Sequence, residues 1–334
     1  MKNTLPRRRF LHTLATAAVV SASFATPLAA VADSWPGKPL KFIVPFPPGG
    51  ATDASARIIA EHLGRRLGQA VVVDNKPGGS TIIGVDMVAK AAPDGYTLLV
   101  TGGGSLAVLP ALRNNLPFDV NKDLVPITQL VSAPVVLVTS SAKPFHKLTD
   151  FITAAKAHPK DLRYSTYGAG SAPHLAGEML SNAAGIELEP IPFKGASEAL
   201  LALLRGEVDL GFETLSAASA HIKSGKLRVL SLNGENRTPF YPEAPGMGEL
   251  GLAAASIEAF YCLLAPTGTP PAITTRLNKE VQDILAQPDV KERMAAMFLE
   301  INAAGPEAMT TLVKSQTAKF KAIAQKAKIP TTAQ

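Results

Sequence analysis

Cysteine is nearly missing from this 334-residue chain, where Cys262 stands alone. A single thiol excludes an internal disulfide and a cysteine metal cluster. Its place in the apolar run Phe260-Tyr261-Cys262-Leu263-Leu264 predicts a buried, inert side chain. Long apolar runs are missing as well. Past residue 32 no segment reaches the 18 uninterrupted apolar residues of a membrane-crossing helix, which predicts a soluble mature protein. No serine lies in GxSxG, no HExxH occurs, and no glycine-rich stretch has the GK[ST] ending or GxGxxG spacing of a nucleotide loop. His62, His146, His158, His174 and His221 are scattered without ligand spacing. No metal or cofactor is expected, and catalysis has little support.

Acid is absent from residues 1–32, where Lys2, Arg7, Arg8 and Arg9 precede an Ala- and Val-rich segment. Ala30-Val31-Ala32 reads as a small-residue cleavage site, with the cut after Ala32. Thr13, Thr16, Ser21, Ser23, Thr26 and Pro27 interrupt the segment and argue against a permanent anchor. Arg7-Arg8-Arg9-Phe10-Leu11 resembles a twin-arginine export signal, with Pro6 and His12 in place of the usual Ser/Thr and Lys, so that route and the general secretory route both stay open. The leader holds four of the 33 basic residues, leaving 29 against 27 acids. The basicity of the whole chain therefore argues for no nucleic-acid partner.

What remains is built around residues 41–57. Phe42-Ile43-Val44 reads as a buried strand, Pro47-Pro48-Gly49-Gly50 breaks it, and Thr52 or Asp53 is placed to cap a helix from Ala54 to about Leu67. A strand, a Gly-rich turn and a helix aim backbone N–H groups and a helix dipole at whatever sits above the strand, which is an anion-binding device. The grammar recurs. Strands are expected at 70–73 and 96–100, with a helix at 81–92 that has Ile82, Val85, Met87, Val88 and Ala89 on its inner face. Gly102-Gly103-Gly104-Ser105 follows the third strand directly, where α/β proteins gather ligands. Residues 125–141 hold two apolar runs around Ala133-Pro134 and read as a crossing into a second domain. There, helices are expected at 148–157, 172–183 and 196–204, and strands at 162–166, 208–212 and 227–232. A return crossing at 257–265 leads to helices at 273–286, 288–298 and 307–326. Alternating β and α elements with buried strands mean α/β layers. Two such units joined by two crossings imply hinged lobes with a cleft between them, lobe 1 being 33–132 with 258–334 and lobe 2 being 133–257.

Several residues carry a structural and a functional reading side by side. Ser171 is an N-cap serine, a carboxylate ligand together with Gly170, or both. His174, in the first turn of the same helix, reads as packed rather than catalytic, since no acid stands at a spacing that would complete a triad. Asp53 complements the helix dipole, or it favours a ligand that also brings a donor. Lys194 is a solvated lysine or the counter-charge to a ligand carboxylate.

Six segments in order carry a family resemblance: VPFPPGGATDASAR, DNKPGGSTIIGVDMVAKAAPDGYTLL, YGAGSAPHLAGEML, PFKGASEALLALLRGEVDLGF, SGKLRVLSL and LLAPTGTPPAITTRLNKEVQDIL. Across essentially the whole mature chain they resemble the Bug-type periplasmic substrate-binding proteins of the tripartite tricarboxylate transporter family. The resemblance implies a two-lobed, type II periplasmic-binding-protein-like fold that closes on a small organic acid, a periplasmic monomer, and a membrane permease as partner. Carried onto this chain, it points to Phe46, Pro48, Gly49, Gly50, Ala51, Asp53, Gly104, Ser105, Gly170, Ser171, Lys194, Glu213 and Thr214 as ligand-binding residues, with His174 beside them. Two departures are visible. Tyr261-Cys262 stands where the family often has an aromatic followed by Gly, and Pro47, Pro48 and Ala51 leave the pocket size open. Dicarboxylates, tricarboxylates, amino acids, aromatic acids and nicotinate-like acids all stay open as ligands. A ligand-dependent sensor and a secreted hydrolase are the alternative functions.

Overall fold

The computed structural model describes residues 35–329, so the leader and its cut after Ala32 lie outside the described residues. The chain divides into Met1–Gly37, of which only 35–37 are described and hold no helix or strand, and Lys38–Gln334, which carries every element below. The first part of that unit runs β1 (Leu40–Val44), α1 (Ala51–Leu67), β2 (Val71–Asn75), α2 (Ile82–Ala89), β3 (Thr97–Gly102) and β4 (Leu124–Ser132). A middle part follows, with β5 (Val135–Ser140), α3 (Leu148–Ala157), β6 (Arg163–Thr166), α4 (Ala172–Ala184), β7 (Glu189–Pro192), α5 (Ala196–Arg205), β8 (Gly211–Thr214), α6 (Leu215–Lys223) and β9 (Leu227–Leu232). The chain closes with β10 (Phe260–Pro266), α7 (Pro271–Leu285), α8 (Pro288–Ala296), β11 (Glu300–Ile301) and α9 (Pro306–Lys326).

These elements make two lobes of α/β layers. The first holds a six-stranded sheet in the order β11-β4-β10-β3-β1-β2, with β1 parallel to β2 and β3, and β10 antiparallel to both its neighbours. The second holds β8-β5-β9, with β5 antiparallel to both partners, and the parallel pair β6-β7. A parallel bridge from Tyr164 to Leu210 joins the two groups. Two crossings link the lobes: Ala133-Pro134, where the proline denies the ladder a donor, and the stretch before Phe260.

Helices cover both faces of the first sheet, which is why its central strands read as continuous apolar runs rather than alternating ones. On one face Ile43, Leu99, Phe260 and Cys262 pack with Val85 and Val88 of α2 and with Met309 and Val313 of α9. On the other, α1 lies against β1–β3 and α7 packs against α1 and β4. Cys262 is fully buried as expected, and burial pushes its thiol up. In the second lobe Leu137, Phe212 and Leu230 face α3 and α4, whereas Val136 and Val138 face α5 and α6. Ala107, Ala111 and Leu112 join the first of these clusters, as do Phe320, Ile323 and Ala324 of α9. One apolar core thus passes from lobe to lobe.

Some sequence expectations shift. Met87 points outward, 41% exposed, whereas Val85 and Val88 are buried in the cluster beneath β1 and β3 and Ile82 and Ala89 pack against its edge. The expected helix at 81–92 is shorter, Ile82–Ala89, preceded by a turn at Gly79–Thr81. The strand expected at 208–212 sits at Gly211–Thr214: Val208 is buried in the cluster under α5, and Asp209 is held by Lys143 and by the Arg163 amide before the ladder begins.

Candidate functional site

The loops after β1, β3, β6, β7 and β8 leave the carboxyl ends of their strands, the edge at which open α/β sheets offer free backbone groups. The loop after β1 is the most elaborately held. Gly49 takes φ +90°, in the left-handed region, and Gly50 is the N-cap of α1. No side chain caps this helix, so neither Thr52 nor Asp53 has the capping role expected of it. The Ala51, Thr52 and Asp53 amides are left for an outside acceptor.

Asp53 works backwards along the loop instead. One oxygen, Oδ2, accepts from the Gly49 amide at 2.9 Å and from Arg57 Nε at 3.0 Å. The other, Oδ1, accepts from Asn75 Nδ2 at 2.9 Å and meets an Arg57 Nη at 2.9 Å. Asn75, the last residue of β2, also donates to the Phe46 carbonyl at 3.1 Å and accepts from Arg57 at 3.0 Å. Burial pushes the Asp53 carboxyl up, but Arg57, the Gly49 amide and Asn75 together outweigh it and hold the group below its ordinary range. Both Asp53 oxygens are engaged with the protein. The side chain fixes the loop while Phe46, Pro47, Pro48, Gly49, Gly50 and Ala51 form its outer surface.

After β3 the chain makes a wide turn over Gly104–Val108. Gly104 is exposed, whereas Ser105 is buried and its Oγ accepts from Thr101 Oγ1 at 2.7 Å. The backbone at Gly104 therefore faces outward and the serine hydroxyl inward.

The second lobe presents the Tyr167–Ser171 loop. Ser171 stands at the N-cap of α4 without capping it; its Oγ accepts from the Tyr167 amide at 3.1 Å. The Gly170 amide donates to His174 Nδ1 at 2.9 Å, so that nitrogen carries a lone pair and the neutral ring holds its proton on Nε2. Burial lowers the His174 pKa, and Glu178, 3.9 Å from Nε2, opposes that. Gly170 adopts φ +77°, and a Cβ there would lie 2.8 Å from the Leu112 side chain of the first lobe. Much of the N–H supply of this loop is spent internally, which leaves the Ala172 and His174 amides at the open end of α4.

Lys194 is exposed and forms no ion pair among the described residues, while its amide donates to Glu198 at 2.7 Å. Thr214 caps α6, accepting from the Ala217 amide at 3.3 Å. Glu213, 1% exposed, accepts from the Tyr167 hydroxyl at 2.8 Å through Oε2; Oε1 has no partner. Burial pushes its carboxyl up to about 7, with the Tyr167 bond working the other way.

The structure thus places the expected residues at the strand exits, in the loops, the first turns of α1 and α4 and the end of β8. It gives Asp53, Ser171, His174 and Thr214 bonds that hold these loops and helix starts. Arg57, Asn75 and Tyr167 are additions that the sequence did not single out. The Asp53–Arg57 spacing of four on a helix was a visible signal. Asn75 and Tyr167 depend on strand register. A separate cavity of about 470 Å³ is lined by both crossings, the loop after β9, β11 and α9, and none of the expected residues borders it.

Known proteins resemble this chain in sequence and fold. The family model described as tripartite tricarboxylate transporter family receptor matches residues 55–329. Protein BugT of Bordetella pertussis is 38% identical over 279 residues, covering 83% of this chain and 85% of its own. The structure of R. palustris Rpa4515 with adipate superposes with a TM-score of 0.75 at 29% identity, covering 89% of this chain and 99% of that one. MatC from Rhodopseudomonas palustris with bound malate gives a TM-score of 0.71 at 29% identity, covering 86% and 99%.

Proposed function

Because the chain belongs to the tripartite tricarboxylate transporter receptor family, we propose that it is an exported receptor that captures a small carboxylated metabolite between its lobes and presents it to a membrane permease. The observation that carries this is the Phe46–Gly50 loop, fixed by Asp53, Arg57 and Asn75 so that the uncapped amides of α1 stay available. The Gly168–Ser171 loop, the open end of α4 and Lys194 supply the second lobe's half. Energies require both halves. A micromolar complex needs about −8 kcal/mol, a helix end contributes at most ~2, and charge-assisted hydrogen bonds of roughly 1.5–3 kcal/mol each must make up the remainder.

Adipate and malate in the two related structures favour the dicarboxylate end of the ligand range. The hinge falls at the two crossings, with lobe 1 comprising 33–132 and 258–334 and lobe 2 comprising 133–257. The leader directs export, with cleavage after Ala32, and the mature protein works in the periplasm as a monomer. The cleft is suited to capture rather than turnover, because Ser171 Oγ is bonded to a backbone amide and the His174 nitrogen that a relay would need is occupied by Gly170.

Calorimetry of residues 33–334 against malate, adipate and citrate tests the proposal. At least one should bind at micromolar concentration, and Gly49→Val, which forces a branched side chain to φ +90°, should weaken it tenfold or more. Unchanged affinity in that variant would remove the β1–α1 loop from the site.

A further inference from the structure

Glu213 is an acid in an unusual place. It lies one residue from the end of β8 and faces the side of the sheet on which its register partner Val136 packs with Leu200 and Leu203. Among the described residues its sole hydrogen-bond donor is the Tyr167 hydroxyl, and Oε1 is buried with no donor. The neighbouring strand repeats the pattern on the same face, since the buried Ser165 Oγ is also without a partner. No ion pair reaches Glu213 among the described residues. The charged groups on the elements around it are engaged elsewhere or exposed: on α4, Glu178 accepts from the Tyr164 hydroxyl and His174 from the Gly170 amide. Asp209 is tied to Lys143 at 2.6 Å and to the Arg163 amide, and Glu198 accepts from the Lys194 amide. Lys194 at the start of α5 and Arg205 at its end are exposed, while His221 and Lys223 occupy the far turn of α6. A carboxylate held here has only a phenol to offset its charge, and that phenol belongs to Tyr167, which opens the loop carrying the expected residues Gly170 and Ser171, while Thr214 beside it in the chain is another of them.

We propose that Glu213 sets how the second lobe accepts an anion: as the cleft closes on a carboxylated ligand, one proton leaves the buffer and adds to the Glu213 carboxylate, so that no second negative charge stays buried beside the first. This rests on the receptor role given above. The free protein is poised for it, since burial holds this acid far above its ordinary range. Tyr167 is the positioning residue, holding Oε2 and covering the carboxyl.

Two measurements decide it. In the free protein, a raised folded-state pKa means that the folded chain binds more protons than the unfolded one between the two values, so stability falls as pH rises through that window. Thermal melts of wild type should therefore lose ground to Glu213→Gln between about pH 4.5 and about 7 and run level above; a flat difference overturns the proposal. In the complex, calorimetry with malate, adipate and citrate at pH 8, in phosphate and in Tris, should report at least half a proton taken up per ligand by wild type and none by Glu213→Gln. Binding heat that is the same in both buffers, or uptake that persists in the variant, overturns the proposal while leaving the receptor role intact. No binding heat with any of the three acids overturns the receptor role, and this proposal with it. Tyr167→Phe guards against a misfolded variant: it should fold, bind, and show uptake that differs from wild type in its pH midpoint.

Discussion

Asn75 ties three things at once: the Phe46 carbonyl, the Asp53 carboxylate and the Arg57 guanidinium. Asn75→Ala removes three hydrogen bonds, each worth about 1 kcal/mol net. It should therefore lower stability by roughly 3 kcal/mol and carboxylate affinity about tenfold, read by urea unfolding and calorimetry. His174 makes a different claim. Its Nδ1 must stay unprotonated to accept from Gly170, and burial lowers its pKa. A depressed histidine contributes stability that is complete above its unfolded value of about 6.5 and is lost as pH falls below it. His174→Asn keeps a side-chain acceptor that does not titrate, so wild type should lose melting temperature relative to this variant below about pH 6.5 and not above. At this scale the sequence was legible where chemistry is local. Ser171 stands at the N-cap position of its helix, as expected, although its hydroxyl turns back to the Tyr167 amide. The Asp53–Arg57 spacing of four is a signal in the sequence that the capping expectation passes over. It was opaque where a bond needs two strands in register, since nothing near Asn75 in the chain says that β2 will end beside Phe46.

Among the elements, α9 does the most distant work. Its first half packs Met309 and Val313 into the first lobe, and its second half packs Phe320, Ile323 and Ala324 into the cluster shared with the second. Phe320→Ala should destabilise by about 3–5 kcal/mol, the usual loss for a buried phenylalanine, measured by denaturant unfolding. A second test lies in α4, where Gly177 rests on the Tyr164 ring: an added Cβ would fall 2.1 Å from the ring edge. Gly177→Ala should cost about 1–3 kcal/mol through overpacking despite alanine's better helix propensity, again read by unfolding. Most elements could be placed from apolar period and Gly/Pro punctuation. The failures have a common cause: Val208 and Met87 are apolar, and period alone does not say whether an apolar residue joins a ladder, lies beneath a helix, or faces water.

For the whole molecule, two α/β lobes joined by two crossings were readable from the order of strands and helices, because the β–loop–helix grammar starts again after Ala133-Pro134. The continuity of the core was not readable. Ala107, Ala111 and Leu112, which follow β3, belong to one apolar cluster with Leu175 and Tyr164 of the other lobe. Residues 38–334 accordingly form one contact unit. Heat unfolding should show one transition, with calorimetric and van't Hoff enthalpies equal, and two resolved transitions would contradict the shared core. A carboxylate bound only by the native state should raise that single melting temperature, by about 2.7 kcal/mol of stability at a hundredfold excess over its Kd.

The shared core also bears on anyone who would exchange ligand specificity by trading lobes between relatives. A donor second lobe cut at the two crossings would arrive with its apolar cluster incomplete, because residues 107–112 and 320–324, which share that cluster with Leu175 and Tyr164, sit on the recipient. Such a hybrid should fold well only if these two short stretches travel with the lobe they touch, so the heritable unit of specificity in this protein is larger than the lobe that the strand order outlines.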